Sequence, residues 1–222
     1  MNPFETYMRN RREVWIESDG VRVGGFLALP ESPKALVLFA HGSGSSRFSG
    51  RNGYVAAVLH EAGVATLLFD LLMPYEAEDR RNVFDIDLLA NRLLLATEWA
   101  RSRPETAALP LGYFGASTGS AAALKASVAT PHEIFALVSR GGRPDMAADV
   151  LEEVTAPTLL IVGGADTLVL ELNEAAYARL RCEKRLVVVP GATHLFEEPG
   201  ALEQVAELAR EWFLGHLHEG ER

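Results

Sequence analysis

Three residues combine reactive chemistry with informative positions. Ser117 lies between two glycines in "GYFGASTGS", Asp166 closes "LLIVGGAD", and His194 closes "VVVPGATH". A serine hydroxyl is a weak nucleophile until a base takes its proton, and a histidine does so when a carboxylate orients it. The chain order serine, aspartate, histidine is one of those in which this trio occurs. The glycine frame adds a mechanical reading. A sharp strand-to-helix turn strains the serine, lifts its hydroxyl clear, and aims the amides of the following helix at the same point.

The other candidates fit different roles. Asp70 follows an apolar run but precedes Ser117, which suits a residue that orients a loop or lines a pocket. Asp145 is placed to cap a helix. His60, His132, His216 and His218 fall on a helix, in a connection and near the C-terminus. His41 is the one rival by position, yet it belongs to "AHGSGSS", which reads as the loop supplying half of an oxyanion hole. The expected donors are the amides of Thr118, the residue after the nucleophile, and Ser43, with His41 bracing the loop. No lysine follows in the pattern of a nucleotide P-loop.

These residues need elements to hold them at one end of a sheet. "EVWIES" and "VRVGGFLALP" flank Asp19-Gly20 as an antiparallel hairpin at a sheet edge. Beyond it, apolar runs alternate with helical patterns: "ALVLFA", "VATLLFDLL", "LGYFGA", "EIFALVSRGG", "APTLLIVGGAD" and "KRLVVVPGA" as strands, with a helix expected after each, including "PDMAADVLEEV". Such alternation predicts a three-layer α/β/α sandwich: a mostly parallel central sheet, an antiparallel N-terminal hairpin, and helices on both faces. Ligands of such sheets lie beyond the carboxyl ends of the strands, where His41, Ser43, Asp70, Ser117, Arg140, Asp166 and His194 all fall.

The bulk properties narrow the classes. The chain has 222 residues and a formal net charge of −9, which argues against nucleic acid and anionic membrane partners. No apolar run has the length of a membrane span. A lone cysteine, Cys182, excludes an intrachain disulfide and fits a reducing, cytoplasmic compartment. No histidine or cysteine spacing marks a metal site, and no cofactor is expected. Residues 1–222 are read as a single domain without a large cap, because only about a dozen residues separate the "ALVSRGG" and "APTLLIVGGAD" strands.

From "ALVLFAHGSGSS" through "GYFGASTG" and "TLLIVGGAD" to "PGATHLFEEPG", the chain resembles the α/β-hydrolase superfamily, and within it the small, lidless dienelactone-hydrolase-like branch. The resemblance implies an α/β-hydrolase fold and hydrolysis of a small-molecule ester or lactone, with Ser117, Asp166 and His194 as the triad. Dienelactone hydrolases proper carry a cysteine nucleophile. Ser117 in that place favours a serine carboxylesterase over the lactone substrate. Thioester hydrolysis and acyl transfer use the same triad, and a ligand-binding protein without turnover is the alternative outside enzymology.

The candidate substrate contacts are Leu72 and Met73, as an apolar wall within the charged connection 72–84, and Arg47 after the "HGSGSS" loop. Arg140 in "SRGGRPD" either holds a substrate carboxylate or pairs with Asp145 or Asp166 to stiffen its loop. Trp15, Trp99 and Trp212 read as packing residues.

Overall fold

The computed structural model describes residues 3–18 and 20–217. One sheet of eight strands runs through it: β1 (Arg11–Ser18), β2 (Val21–Ala28), β3 (Ala35–Ala40), β4 (Val64–Phe69), β5 (Leu111–Ala116), β6 (Ile134–Arg140), β7 (Thr158–Gly163) and β8 (Lys184–Val189), in the order β1-β2-β4-β3-β5-β6-β7-β8. β1 pairs antiparallel with β2, and β2 antiparallel with β4. Every later pairing is parallel. The hairpin is the one expected at the sheet edge, although Asp19 of its turn lies outside the described residues, as does His218.

Burial explains the continuous apolar runs. β3, β4, β5 and β7 are buried along their whole length, since helices cover both faces. On one face α2 (Gly50–Glu61) and α8 (Ala201–Gly215) close a core containing Val37, Phe39, Phe114, Val138 and Phe213. On the other, α5 (Ile86–Arg101), α6 (Thr118–Ala129) and α7 (Thr167–Arg179) close a core containing Leu36, Leu38, Leu93, Tyr113 and Leu160. The alanines of α6 let that helix lie close to the sheet.

Four local expectations change. Pro3–Asn10 forms a helix, α1, where no element was expected. The connection 72–84 holds two one-turn helices, α3 (Pro74–Ala77) and α4 (Arg80–Val83), whose starts carry a proline and a capping aspartate, Asp79. Trp99 and Trp212 are buried, but Trp15 on the edge strand is exposed, with Arg22 stacked 4.1 Å over its ring. "PDMAADVLEEV" forms two 3-10 turns, Pro144–Ala147 and Leu151–Glu153, instead of an α-helix.

The chain reverses its direction of growth between β3 and β5, the topological switch point where a crevice opens at the strand ends. Its walls are the β3–α2 loop and the start of α6. Contact there is close: a β carbon built on Gly119 would lie 2.1 Å from the Ala40 carbonyl oxygen. Gly119→Ala should therefore lower the unfolding free energy by about 3 kcal/mol in urea titration. Gly50→Ala, where an added β carbon meets nothing within 4 Å, should be neutral or slightly stabilising.

Candidate active site

Ser117 occupies the turn between β5 and α6 with φ 51° and ψ −122°, a conformation that side-chain-bearing residues rarely adopt. The surroundings hold it there. Its amide donates to the Arg140 carbonyl at 3.1 Å, and its own carbonyl accepts from Ser120 N at 3.0 Å and Arg143 N at 3.1 Å. Beneath the turn, Ser139 Oγ donates to Ser120 Oγ, which donates to the Gly115 carbonyl. The Ser117 hydroxyl makes no helix-capping bond.

Asp166 follows β7 and His194 follows β8, and the structure joins them: His194 Nδ1 donates to Asp166 Oδ2 at 2.7 Å. That bond places the ring proton on Nδ1 and leaves Nε2 as a lone-pair acceptor. Asp166 sits at the N-cap position of α7 without capping it, its carboxylate being committed to the imidazole. His194 is 39% exposed, so the ring is open to an incoming molecule. The Ser117 turn and the His194 loop meet at Gly141, directly after the Arg140 carbonyl that binds Ser117. A β carbon built on Gly141 would touch His194 Cε1 at 3.5 Å and Phe196 Cε2 at 3.4 Å.

Phe196 escaped the sequence reading. It is buried and has a positive φ of 54°, strained for an aromatic residue, and it turns the chain two residues past His194. Nothing in "HLFEEPG" distinguishes it from an ordinary core phenylalanine.

The loop after β3 rests against the nucleophile, since a β carbon on Gly42 would lie 2.9 Å from Ser117 Cβ. His41 braces this loop. Its Nδ1 donates to the Gly42 carbonyl at 2.9 Å, and its Nε2 accepts from the Leu71 amide at 3.1 Å. The bond from Leu71 needs the neutral ring, and burial holds its pKa below the ordinary histidine value, against smaller raising effects of the Gly42 bond and Asp70. The Ser43 amide, expected to stand free as an oxyanion donor, instead donates to Thr118 Oγ1 at 3.0 Å. The Thr118 amide opens α6 and has no partner within the helix.

The expected substrate contacts divide. Leu72 lines a largely apolar cavity of about 220 Å³ with His41, Ser43, Leu71, Val83, Leu89 and Thr118. Met73 is buried but is not among the lining residues. Arg47 does not reach toward substrate: Asp70 and Glu13 take its guanidinium, and Phe48 stacks 4.6 Å from it. Neither expected partner pairs with Arg140, because Asp145 binds Arg143 and Asp166 binds His194. Arg140 is 8% exposed, Nη1 is buried without a hydrogen-bond partner, and desolvation, with a smaller effect from nearby Arg51, pulls its pKa down to about 10. The Cys182 thiol is raised by burial and meets Thr158 Oγ1 at 3.7 Å, away from this site. Among the described residues, no three His, Cys, Asp or Glu side chains are grouped to hold a metal, and no helix is long and apolar enough to cross a membrane.

This sheet, with a strained serine at the switch point, defines an α/β hydrolase. No protein-family model matches the chain. The crystal structure of a dienelactone hydrolase from Anabaena variabilis is 53% identical, superposes with a TM-score of 0.90, and is matched over 94% of this chain and 100% of that one. The chain therefore belongs to the dienelactone-hydrolase-like family of α/β hydrolases. Est1E from Butyrivibrio proteoclasticus, at 19% identity, shares the fold with a TM-score of 0.80, over 92% of this chain and 98% of that one. A Mycobacterium tuberculosis protein named "Putative phosphoribosyl transferase" is 60% identical over 205 residues, which are 92% of this chain but only 46% of that protein. The chain thus spans about half the length of that curated relative.

The neutral His41 leaves a thermodynamic signature. An unfolded histidine protonates near about pH 6.5, whereas His41 resists protonation when folded. The unfolded state then binds more protons, so this contribution is full above about pH 6.5 and is lost as pH falls toward the lowered folded value. His60 is shifted the same way, chiefly by burial. The decline in unfolding free energy between about pH 7 and about pH 5 should be shallower in His41→Gln than in the wild type. Equal slopes would contradict a neutral, clamped His41.

Proposed function

We propose that this chain hydrolyses carboxylic esters of small acyl groups through an acyl-enzyme on Ser117. The observation that carries the reading is the 2.7 Å bond from His194 to Asp166, which leaves Nε2 unprotonated on a ring packed against Gly141, the residue after the Arg140 carbonyl that holds the strained Ser117. In the reaction, Ser117 Oγ bonds to the ester carbonyl carbon as its proton passes to His194 Nε2, and Asp166 stabilises the imidazolium. The carbonyl oxygen becomes an oxyanion beside the Thr118 amide. The Ser43 amide joins by exchanging Thr118 Oγ1 for the developing charge, an exchange favoured because a charged acceptor bonds more strongly than a neutral hydroxyl. The C–O bond to the alcohol breaks, and the alcohol leaves with the proton from His194. Water then attacks the acyl-enzyme, giving its proton to His194, and Ser117 recovers that proton as the acid departs.

The cavity supports a short acyl group. At about 220 Å³ it lies below the range of drug-sized ligand pockets, and Leu71, Leu72, Val83 and Leu89 contribute apolar walls. Lactone opening is the second reading, favoured by the name of the Anabaena relative. It follows the same steps with the leaving alcohol still tethered.

Ser117→Ala should lose at least about a thousandfold in kcat on p-nitrophenyl acetate and all labelling by a fluorophosphonate probe. Full activity in that variant, or no labelling of the wild type, would overturn the reading. Across p-nitrophenyl esters, kcat/KM should peak at short acyl chains, and Leu89→Ala should move the peak to longer ones. An unchanged profile would show that this cavity does not hold the acyl group.

A further inference from the structure

One wall of the apolar cavity is built from a segment with little apolar anchorage. Met73 and Ile86 are buried in the core, yet residues 74–85 between them contribute no buried side chain. This segment carries α3 and α4 and forms a flap. It gives the cavity only Pro74, Ala77 and Val83, while Tyr75 and Phe84 are exposed. One-turn helices have little stability of their own, because nucleating a helix is costly. The flap therefore needs another fastening to α5.

A polar knot centred on Glu76 supplies it. Glu76 Oε1 pairs with Arg92 Nη2 of α5 at 2.6 Å, and Glu76 Oε2 accepts from the Met73 amide at 2.9 Å. The Glu76 carbonyl accepts from Asn82 Nδ2 at 3.0 Å, which ties α4 to α3. The side chains of Arg92 and Glu76 are 11% and 15% exposed, so water screens this pair far less than an ion pair at the surface. Arg92 Nε is buried without a hydrogen-bond partner, and among the described residues no other carboxylate pairs with Arg92. Neutralising Glu76 would leave that guanidinium uncompensated. The Asp79–Arg81 ion pair lies within the flap, so it does not fasten the flap to α5.

The knot lies beside the cavity. Arg92 is three residues beyond Leu89 on α5, about one turn along the same face, and Leu89 lines the cavity with the flap residues. One helix thus supplies an apolar wall and also grips the wall that meets it. Neither Glu76 nor Arg92 lines the cavity, so both are positioning residues.

We infer that the Glu76–Arg92 pair is a latch that sets the length of acyl group the cavity accepts, by holding the flap of residues 74–85 against α5. The inference rests on the ester-hydrolase reading for the identity of the occupant. With the latch closed, the cavity of about 220 Å³ ends at Pro74, Ala77 and Val83. With it broken, the segment between Met73 and Ile86 swings away and a longer chain passes beneath it.

Arg92→Met keeps the aliphatic stem and removes the guanidinium. It should raise kcat/KM on p-nitrophenyl octanoate about tenfold relative to the acetate ester, chiefly through a lower KM. Its kcat on the acetate ester should stay within about twofold of the wild type, with fluorophosphonate labelling of Ser117 retained. Glu76→Gln, which keeps an oxygen for the Met73 amide, should behave in the same way. Arg92→Lys should keep the wild-type profile, because a point charge suffices for a bond made through one nitrogen. Hydrogen–deuterium exchange over residues 74–85 should quicken in Arg92→Met and Glu76→Gln. An acyl-length profile unchanged in both variants, even with a lowered Tm, would reduce the pair to a structural contact and overturn the latch. Unchanged exchange over the flap would overturn it too, and an Arg92→Lys profile shifted as far as that of Arg92→Met would overturn charge pairing as its basis. If Arg92→Met does not fold, Glu76→Gln decides alone. A wild type that hydrolyses the esters and takes the label, with no shift in the variants, keeps the hydrolase reading and loses the latch. A wild type without hydrolysis or labelling loses that reading and the acyl-length claim with it, and the exchange measurement then decides whether the pair holds the flap.

Discussion

The architecture depends on a strained backbone turn being held tightly enough to persist. Ser117 has a conformation that costs on the order of 1–3 kcal/mol, and Phe196 adds a second strained residue on the histidine side of the site. The turn is secured from three directions. β6 accepts the Ser117 amide, the start of α6 and the Arg143 amide donate to its carbonyl, and α6 presses on the end of β3 where no side chain fits at Gly119. Each support is backbone contact, so the strain is carried by the sheet and the elements packed on it.

Charge is apportioned around this turn with few spare groups. Asp70 and Glu13 hold Arg47, Asp145 holds Arg143, and Asp166 holds His194. His41 is kept uncharged by burial, and its Nε2 accepts from the Leu71 amide as only the neutral ring can. The result is a loop after β3 locked to the strand after it, and an imidazole fixed in one tautomer. Arg140 stands outside this balance, with Nη1 buried and without a hydrogen-bond partner among the described residues.

Much of this was legible before any coordinates. The strand pattern, the parallel order and the ends bearing Ser117, Asp166 and His194 all follow from apolar runs bounded by glycine and reactive residues, because a strand buried on both faces must be apolar throughout. The short helices of 74–83 and the 3-10 turns of 144–153 were less legible. Both are connections, where tertiary context overrides local propensity. Arg47 and Arg140 show the same limit for side chains. In sequence each is an arginine near a strand end and a glycine-containing loop, and only the location of carboxylates distant in the chain separates them.

The sequence by itself determined the layer architecture and the identities and order of the reactive residues, since hydrophobic periodicity and turn chemistry act over a few neighbours. Tertiary structure alone decided which partner other polar groups found: the Ser43 amide with Thr118 Oγ1, Asp70 with Arg47, and no partner for Arg140 Nη1 among the described residues. Those pairings depend on distances across a sheet between residues far apart in the chain, and no local pattern encodes such a distance.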